Sequence, residues 1–365
     1  MDTEERCIKC VIPRSSRGIK FDDHGCCELC LNYQPEKESA EKRIKTLNKR
    51  IKNIKKTGQN RDFDCLVGLS GGRDSSYLLY LLVKKHKLRC MAAYHRTPFT
   101  PDIIDTNVKR LTQELNVPLI QMQISIKKHL DFARKMMKLW IKNPDRFIIN
   151  LACAPCKQHN YEVYRIAKHY KIRYIVFGSN KYETFQLSAA QDKNINNLKT
   201  KEIGYFQKIK QLILVSTRGI KILLNNPLLL LSFPMLFKTC ILYLNNRSPY
   251  LRARFNHIKM LDYYFLAGYN EDDANKFLAD FKLEIPDDCT SIWRADCAFN
   301  DLKNYLFKKV TGMSYMDAYL SNMIRDRFIS RDEALKRLKT EGKISWKRLN
   351  RVSEILNIPI SKFDV

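Results

Sequence analysis

No stretch of the 365-residue chain reaches the length of a bilayer-spanning helix. Its longest uncharged segment, 222–237, has sixteen residues, short of the roughly 20 that a span requires. Asn225, Asn226, Pro227, Ser232 and Pro234 interrupt it, and two prolines count against one continuous helix. Acid is scarce: 38 Asp and Glu stand against 65 Lys and Arg, a net charge of +27. A surface this basic calls for an anionic partner, whether nucleotide, nucleic acid or an acidic membrane face. The opening residues, Met1-Asp2-Thr3-Glu4-Glu5, contain no basic and apolar leader, which argues against a secretory signal. Without export, the twelve cysteines read as reduced thiols, metal ligands or catalytic thiols rather than a disulfide framework, and a cytosolic location is expected. No internal repeat is evident, and no Gly-x4-Gly-Lys-Ser/Thr phosphate loop occurs. A hydrophobic fraction of 45% with 11% aromatics excludes a wholly disordered chain.

The length suggests about two domains, and the pattern divides further. Residues 1–33 hold four spaced cysteines, and 34–60 follow as a basic linker helix. Between Lys42 and Lys56 lie eight basic residues and no acid, with Ile44, Leu47, Ile51 and Ile54 at helical spacing. Its cationic face is either a solvated linker surface or an anion-binding arm. From 61 to 185 strands are expected at 63–69, 90–95, 119–124 and 173–177, alternating with helices at 74–86, 103–115, 126–141 and 160–170. Such alternation implies an α/β fold, a doubly wound parallel sheet covered on both faces, with ligands at the carboxyl ends of the strands. Residues 186–260 are a basic, apolar insertion: eleven Lys/Arg and one acid, Glu202, lie between Lys199 and Lys259. The stretch 212–244 suits a buried helical hairpin, with contact at the inner face of the plasma membrane and a true span as alternatives. Residues 261–365 read as helical, with Ser330 and Glu333 placed as a helix cap.

Cys7-x2-Cys10, sixteen residues, then Cys27-x2-Cys30 has the spacing of a zinc ribbon. Four thiolates close a tetrahedral Zn²⁺ site with no open position, so this site is structural. The second signal is Ser70-Gly71-Gly72-Arg73-Asp74-Ser75-Ser76, after an expected strand and opening a helix. Two glycines allow a tight turn that brings backbone N–H groups close to phosphate. Ser70, Ser75 and Ser76 add hydroxyls, and the helix start adds its dipole. Asp74 in a phosphate site requires a Mg²⁺ ion to offset its charge.

The string SGGRDS closely resembles the pyrophosphate loop of the PP-loop ATP pyrophosphatases. That resemblance implies the adenine nucleotide alpha hydrolase-like (HUP) fold, and cleavage of ATP to AMP and pyrophosphate with adenylation of a substrate oxygen. It implies that Gly71, Gly72, Asp74 and Ser75 contact pyrophosphate or its metal. It places Tyr94 and Gly178-Ser179-Asn180 beside the adenosine and acceptor sites. More specifically, the Cys7–Cys30 segment, 98–107 and 322–334 (NMIRDRFISRDEA) resemble the N-acetyl sugar amidotransferase family of surface-polysaccharide (lipopolysaccharide) biosynthesis. Gly178-Ser179-Asn180 stands where that family has Gly-Glu-Asn. The resemblance implies conversion of the acetamido group of a nucleotide-linked sugar to an acetamidino group. A separate glutaminase would supply the ammonia, since no glutaminase module is visible in the chain. A tRNA thiolase, also a PP-loop enzyme with a zinc ribbon, is the alternative, and the net charge suits it; a nucleotide-binding membrane scaffold without turnover is the non-enzymatic reading.

Cys153-Ala154-Pro155-Cys156 precedes an expected helix, whose start lowers thiol pKa. With Cys297 as a third ligand these residues suit a second zinc or an iron–sulfur cluster; a catalytic thiol and an inert pair are the other readings. Cys65 and Cys90 fall inside strands and read as core. His95 and His159 either line the cleft or are structural.

Overall fold

The computed structural model describes residues 4–35, 38–122, 124–183, 233–243 and 248–364. Among these residues five parallel strands form one sheet: β1 (Cys65–Leu69), β2 (Cys90–Tyr94), β3 (Leu119–Gln121), β4 (Tyr174–Phe177) and β5 (Lys259–Asp262), in the order β3-β2-β1-β4-β5. β1 and β2 are buried at every position, which is why both read as continuous apolar runs. Their side chains still alternate between faces. Cys65, Val67 and Leu69 join Cys90, Ala92 and Tyr94 in one core, whereas Leu66 joins Met91, Ala93 and Ile175 in the other.

The longer helices around the sheet and beyond it include α1 (Ala40–Gly58), α2 (Arg73–Tyr80), α3 (Asp102–Glu114), α4 (Ile126–Lys142), α5 (His159–His169), α6 (Glu271–Asp280), α7 (Phe299–Thr311), α8 (Tyr315–Arg325), α9 (Arg331–Glu341) and α10 (Trp346–Leu356). Residues of α1, α2, α3 and α6 cover one face of the sheet and α5 the other. The doubly wound parallel sheet expected from the alternation is therefore present. α4, α7 and α10 build a separate core into which Cys7, Cys10 and Cys27 pack. α8 and α9 close a smaller one around Val11, Tyr182 and Tyr319.

Ser39 caps α1 by accepting from Lys42 N at 3.3 Å. Leu47, Ile51 and Ile54 are buried as expected, worth about 1.5–3 kcal/mol for each side chain. Ile44 is 46% exposed, because the stripe meets its partner, the short helix Tyr263–Ala267, only in its later turns. Ser330 caps α9 as expected, accepting from Glu333 N, while the reciprocal capping box is formed by Ser314 and Asp317 at α8.

β5 was not expected. It spans the 260/261 boundary drawn from composition, and only Leu261 of its four residues is buried. A short edge strand with Lys259 and Asp262 at its ends offers no apolar run; its position is set by pairing with β4, Tyr174 opposite Lys259 and Phe177 opposite Asp262. Most of the 212–244 stretch lies outside the described residues. Among the described residues no helix is long and apolar enough to cross a membrane.

Candidate active site and metal centre

The strand order reverses between β1 and β4, because β2 and β3 lie to one side of β1 and β4 and β5 to the other. Open α/β sheets bind ligands in the crevice that such a reversal leaves at the strands' carboxyl ends. Both segments that follow these strands, Ser70–Ser76 and Gly178–Asn180, meet there. Asn180 Nδ2 lies 3.4 Å from Asp74 Oδ2, and the Tyr264 hydroxyl donates to the Asp74 carbonyl at 2.9 Å.

The turn is held by its own hydroxyls. Ser75 Oγ accepts from Ser70 N at 3.2 Å and lies 3.1 Å from Ser70 Oγ, which accepts from Gly72 N at 3.2 Å. Gly71 has φ +83°, and a Cβ there would stand 2.4 Å from Ile104 Cγ2 on α3. A residue with a side chain meets both the left-handed backbone and that overlap. Ser76 is buried inside α2.

The turn opens on a cavity of about 230 Å³. Ser70, Gly72, Arg73, Asp74, Ser75 and Gly178 border it on one side, and Glu183, Trp293, Arg294 and Asp296 on the other. Asp296 sits directly over the turn: a Cβ on Gly72 would lie 3.2 Å from its carboxylate. Burial raises the carboxyls of Asp296 and Glu183. Glu183 accepts from Trp293 Nε1 at 2.8 Å and pairs with Arg294 at 3.6 Å. Asp74 accepts from Arg73 Nε at 2.9 Å and from the Tyr269 hydroxyl. Arg73 continues the chain, with Nη1 2.7 Å from Glu271.

The structure brings Ser70, Gly71, Gly72, Arg73, Asp74, Ser75, Gly178 and Asn180 together. Ser179 points its hydroxyl at Asp262, 3.4 Å away. Tyr94 is not on the cavity: its strand position sends it into the α3-covered core, where its hydroxyl donates to Asp105 at 2.6 Å. The facing wall escaped sequence reading. Trp293, Arg294 and Asp296 lie more than two hundred residues beyond the turn in sequence, in a stretch singled out only for Cys297.

The Cys7, Cys10, Cys27 and Cys30 sulfurs all lie within 4.8 Å of one another and could hold a metal ion. Cys10 and Cys27 are 3.6 Å apart. Cys27 N donates to Cys7 Sγ at 3.2 Å, and Arg325 Nη1 approaches Cys10 and Cys30 at 3.8 and 3.9 Å. Cys10 is lowered to about 7, chiefly by the Cys27 thiol. Donors aimed at the sulfurs suit bound thiolates. Arg331 Nε bonds the Cys7 and Cys10 carbonyls at 3.2 and 3.1 Å, fixing the cysteine segment to α9.

Cys153, Cys156 and Cys297 do not form a comparably tight group. Cys156 Sγ is 3.5 Å from His129 Nε2, and Cys297 Sγ 3.7 Å from Thr97 Oγ1. The Cys156 thiol, aided by Lys303, holds Cys153 down to about 5 against its burial. His95 and His159 stack with ring centres 5.4 Å apart. Cys65 and Cys90 are core residues, as expected.

The chain matches no protein-family model and no curated protein. Among solved structures it is similar to an NMN synthetase from Francisella tularensis, at 12% identity over 90% of this chain and 98% of that one, TM-score 0.36. It is also similar to a U34-tRNA thiolase from Methanococcus maripaludis solved with its 4Fe–4S cluster, at 14% identity over 98% and 89%, TM-score 0.34. A third neighbour is an NH3-dependent NAD synthetase from Campylobacter jejuni, at 19% identity over 40% of this chain and 59% of that one, TM-score 0.28. All three are distant in sequence and in overall shape.

Proposed function

We propose that the protein is an ATP-dependent adenylating amidotransferase that turns the N-acetyl group of a nucleotide-linked sugar into an acetamidino group. The observation that carries the reading is the Ser70–Ser76 turn, which opens at the sheet's switch point onto a cavity walled by Asp74 and Asp296. The α2 start, with the turn amides other than those of Ser70 and Gly72, suits the β- and γ-phosphates of ATP. The acetamido oxygen attacks the α-phosphate, its bond to phosphorus forms as that to pyrophosphate breaks, and an adenylated imidate results. Ammonia adds to the imidate carbon, loses a proton and expels AMP, leaving the amidine. The chain's part is to orient the reactants and to neutralise phosphate charge.

Asp74 already accepts three hydrogen bonds of the roughly four a carboxylate offers, which leaves room for one cation contact. Asp74 would hold Mg²⁺, and the ion would offset charge on the departing pyrophosphate. In the four-cysteine site zinc is the best match, since tetrahedral Zn–S bonds of about 2.3 Å put sulfurs about 3.8 Å apart. A separate glutaminase would deliver ammonia, and the apolar 212–244 stretch of the basic insertion is the part that would touch the inner face of the membrane.

A second reading, a tRNA thiolase, is favoured by the acidic Cys153 thiol beside Lys303. In it Cys153, Cys156 and Cys297 would have to draw closer together to hold an iron–sulfur cluster, and the net charge of +27 would attract the tRNA backbone. One assay separates the two. Pyrophosphate release stimulated by a UDP-N-acetyl sugar with ammonium supports the amidotransferase; stimulation by tRNA alone, lost as salt rises, replaces it with the thiolase.

A further inference from the structure

A second cavity, of about 700 Å³, adjoins the loop cavity. The two share Arg73 and Ile292 as a common wall. Four carboxylates border the larger one, Glu271, Asp272, Glu333 and Glu341, against two guanidiniums, Arg73 and Arg337. Both guanidiniums are already paired: Arg73 with Glu271 at 2.7 Å, and Arg337 with Glu271 at 2.8 Å and Glu341 at 2.7 Å. The remaining charge is negative, which disfavours a phosphate-rich occupant.

Two further observations point to what does fit. Arg73 is 6% exposed, yet its Nη2 has no hydrogen-bond partner among the described residues. A buried donor left unmade is costly, so an acceptor oxygen reaching Arg73 would be favoured. Phe328, also on the cavity, leaves 38% of its surface exposed, an apolar plane against which a ring can lie. Hydroxyls suit the carboxylates of Asp272 and Glu333, which have no ion-pair partner among the described residues.

We propose that this larger cavity is the acceptor site, that it takes an uncharged, hydroxyl-rich ring lying on Phe328, and that the ring's acyl group reaches the wall shared with the loop cavity at Arg73 and Ile292. The assignment rests on reading the loop cavity as the adenylating site, which the larger cavity adjoins at Arg73.

The test uses the full chain with ATP, ammonium and a panel of UDP-N-acetylhexosamines, reading pyrophosphate release, and saturation-transfer NMR with the matching free N-acetylhexosamine. Phe328→Ala and Glu333→Gln change exposed positions. Each is expected to raise KM for the sugar nucleotide about tenfold relative to KM for ATP, and to abolish saturation transfer to the free sugar's ring protons. Should one variant fail to fold, Asp272→Asn takes its place. Sugar-stimulated release in the wild type with KM unmoved in the variants overturns the assignment while leaving the adenylating reading intact. Stimulation by tRNA and by no N-acetyl sugar removes the assignment and the amidotransferase reading with it, and leaves the loop cavity adenylating.

Discussion

Gly71 sits where a side chain has no room. Its φ of +83° and the 2.4 Å approach to Ile104 make Gly71→Ala costly, by about 2–4 kcal/mol in urea unfolding, with ATP binding lost in the same variant. Asp74→Ala is expected to end AMP formation under every acceptor condition, because it removes the carboxylate that Arg73, Tyr269 and Asn180 converge on; undiminished AMP in a nucleotide assay would remove the loop from the chemistry. The buried imidazoles carry a pH prediction. Burial lowers His95 to about 3 and His129 to about 4, from 6.5. At these two sites the unfolded chain therefore binds more protons between those values, and their contribution to stability falls as pH drops below about 6.5 and is flat above it. At pH 5 each imidazole accounts for roughly 2 kcal/mol of the loss. Urea midpoints at pH 7.5 and pH 5 check this, and His129→Gln should shrink the difference between them.

Between elements, the cysteine segment and the helices after residue 312 depend on each other. Val11 N bonds Ser321 Oγ, Arg6 pairs with Asp317 at 2.6 Å, and Arg331 holds the Cys7 and Cys10 carbonyls. A metal bound by the four thiols thus fixes the seat of α8 and α9, not only its own short segment. Elemental analysis should find about one zinc per chain, and Cys27→Ser should lose it. The same variant should exchange amide hydrogens faster in α8 and α9; protection there equal to the wild type would show that the helices dock without the metal. The sequence spacing picks out the four thiols that the structure clusters. It was silent on their partners, because Arg325 and Arg331 lie some three hundred residues away and basic residues are common throughout the chain.

Across the molecule, a buried ion chain joins the sheet domain to the helical region: Asp74 to Arg73, Arg73 to Glu271, Glu271 to Arg337 and Arg337 to Glu341. Glu271 is its centre, and the two guanidiniums keep its carboxyl low despite burial. Glu271→Ala leaves two cations without their shared anion and should cost about 3–5 kcal/mol in chemical denaturation. A loss under 1 kcal/mol would mean that water already screens the pair.

What could be read from neighbours in the chain was the local chemistry. A glycine turn after an apolar run, four cysteines in two close pairs and four of the five strands each announce themselves within a few residues, since backbone geometry and metal ligation act at short range. The opposite side of the cavity was settled only by packing. Glu183, Trp293, Arg294 and Asp296 follow no spacing rule, and β5 has a single buried residue. Trp293, Arg294 and Asp296 are brought to the turn by the docking of the helical region onto the sheet, a contact between segments far apart in sequence that no local pattern encodes.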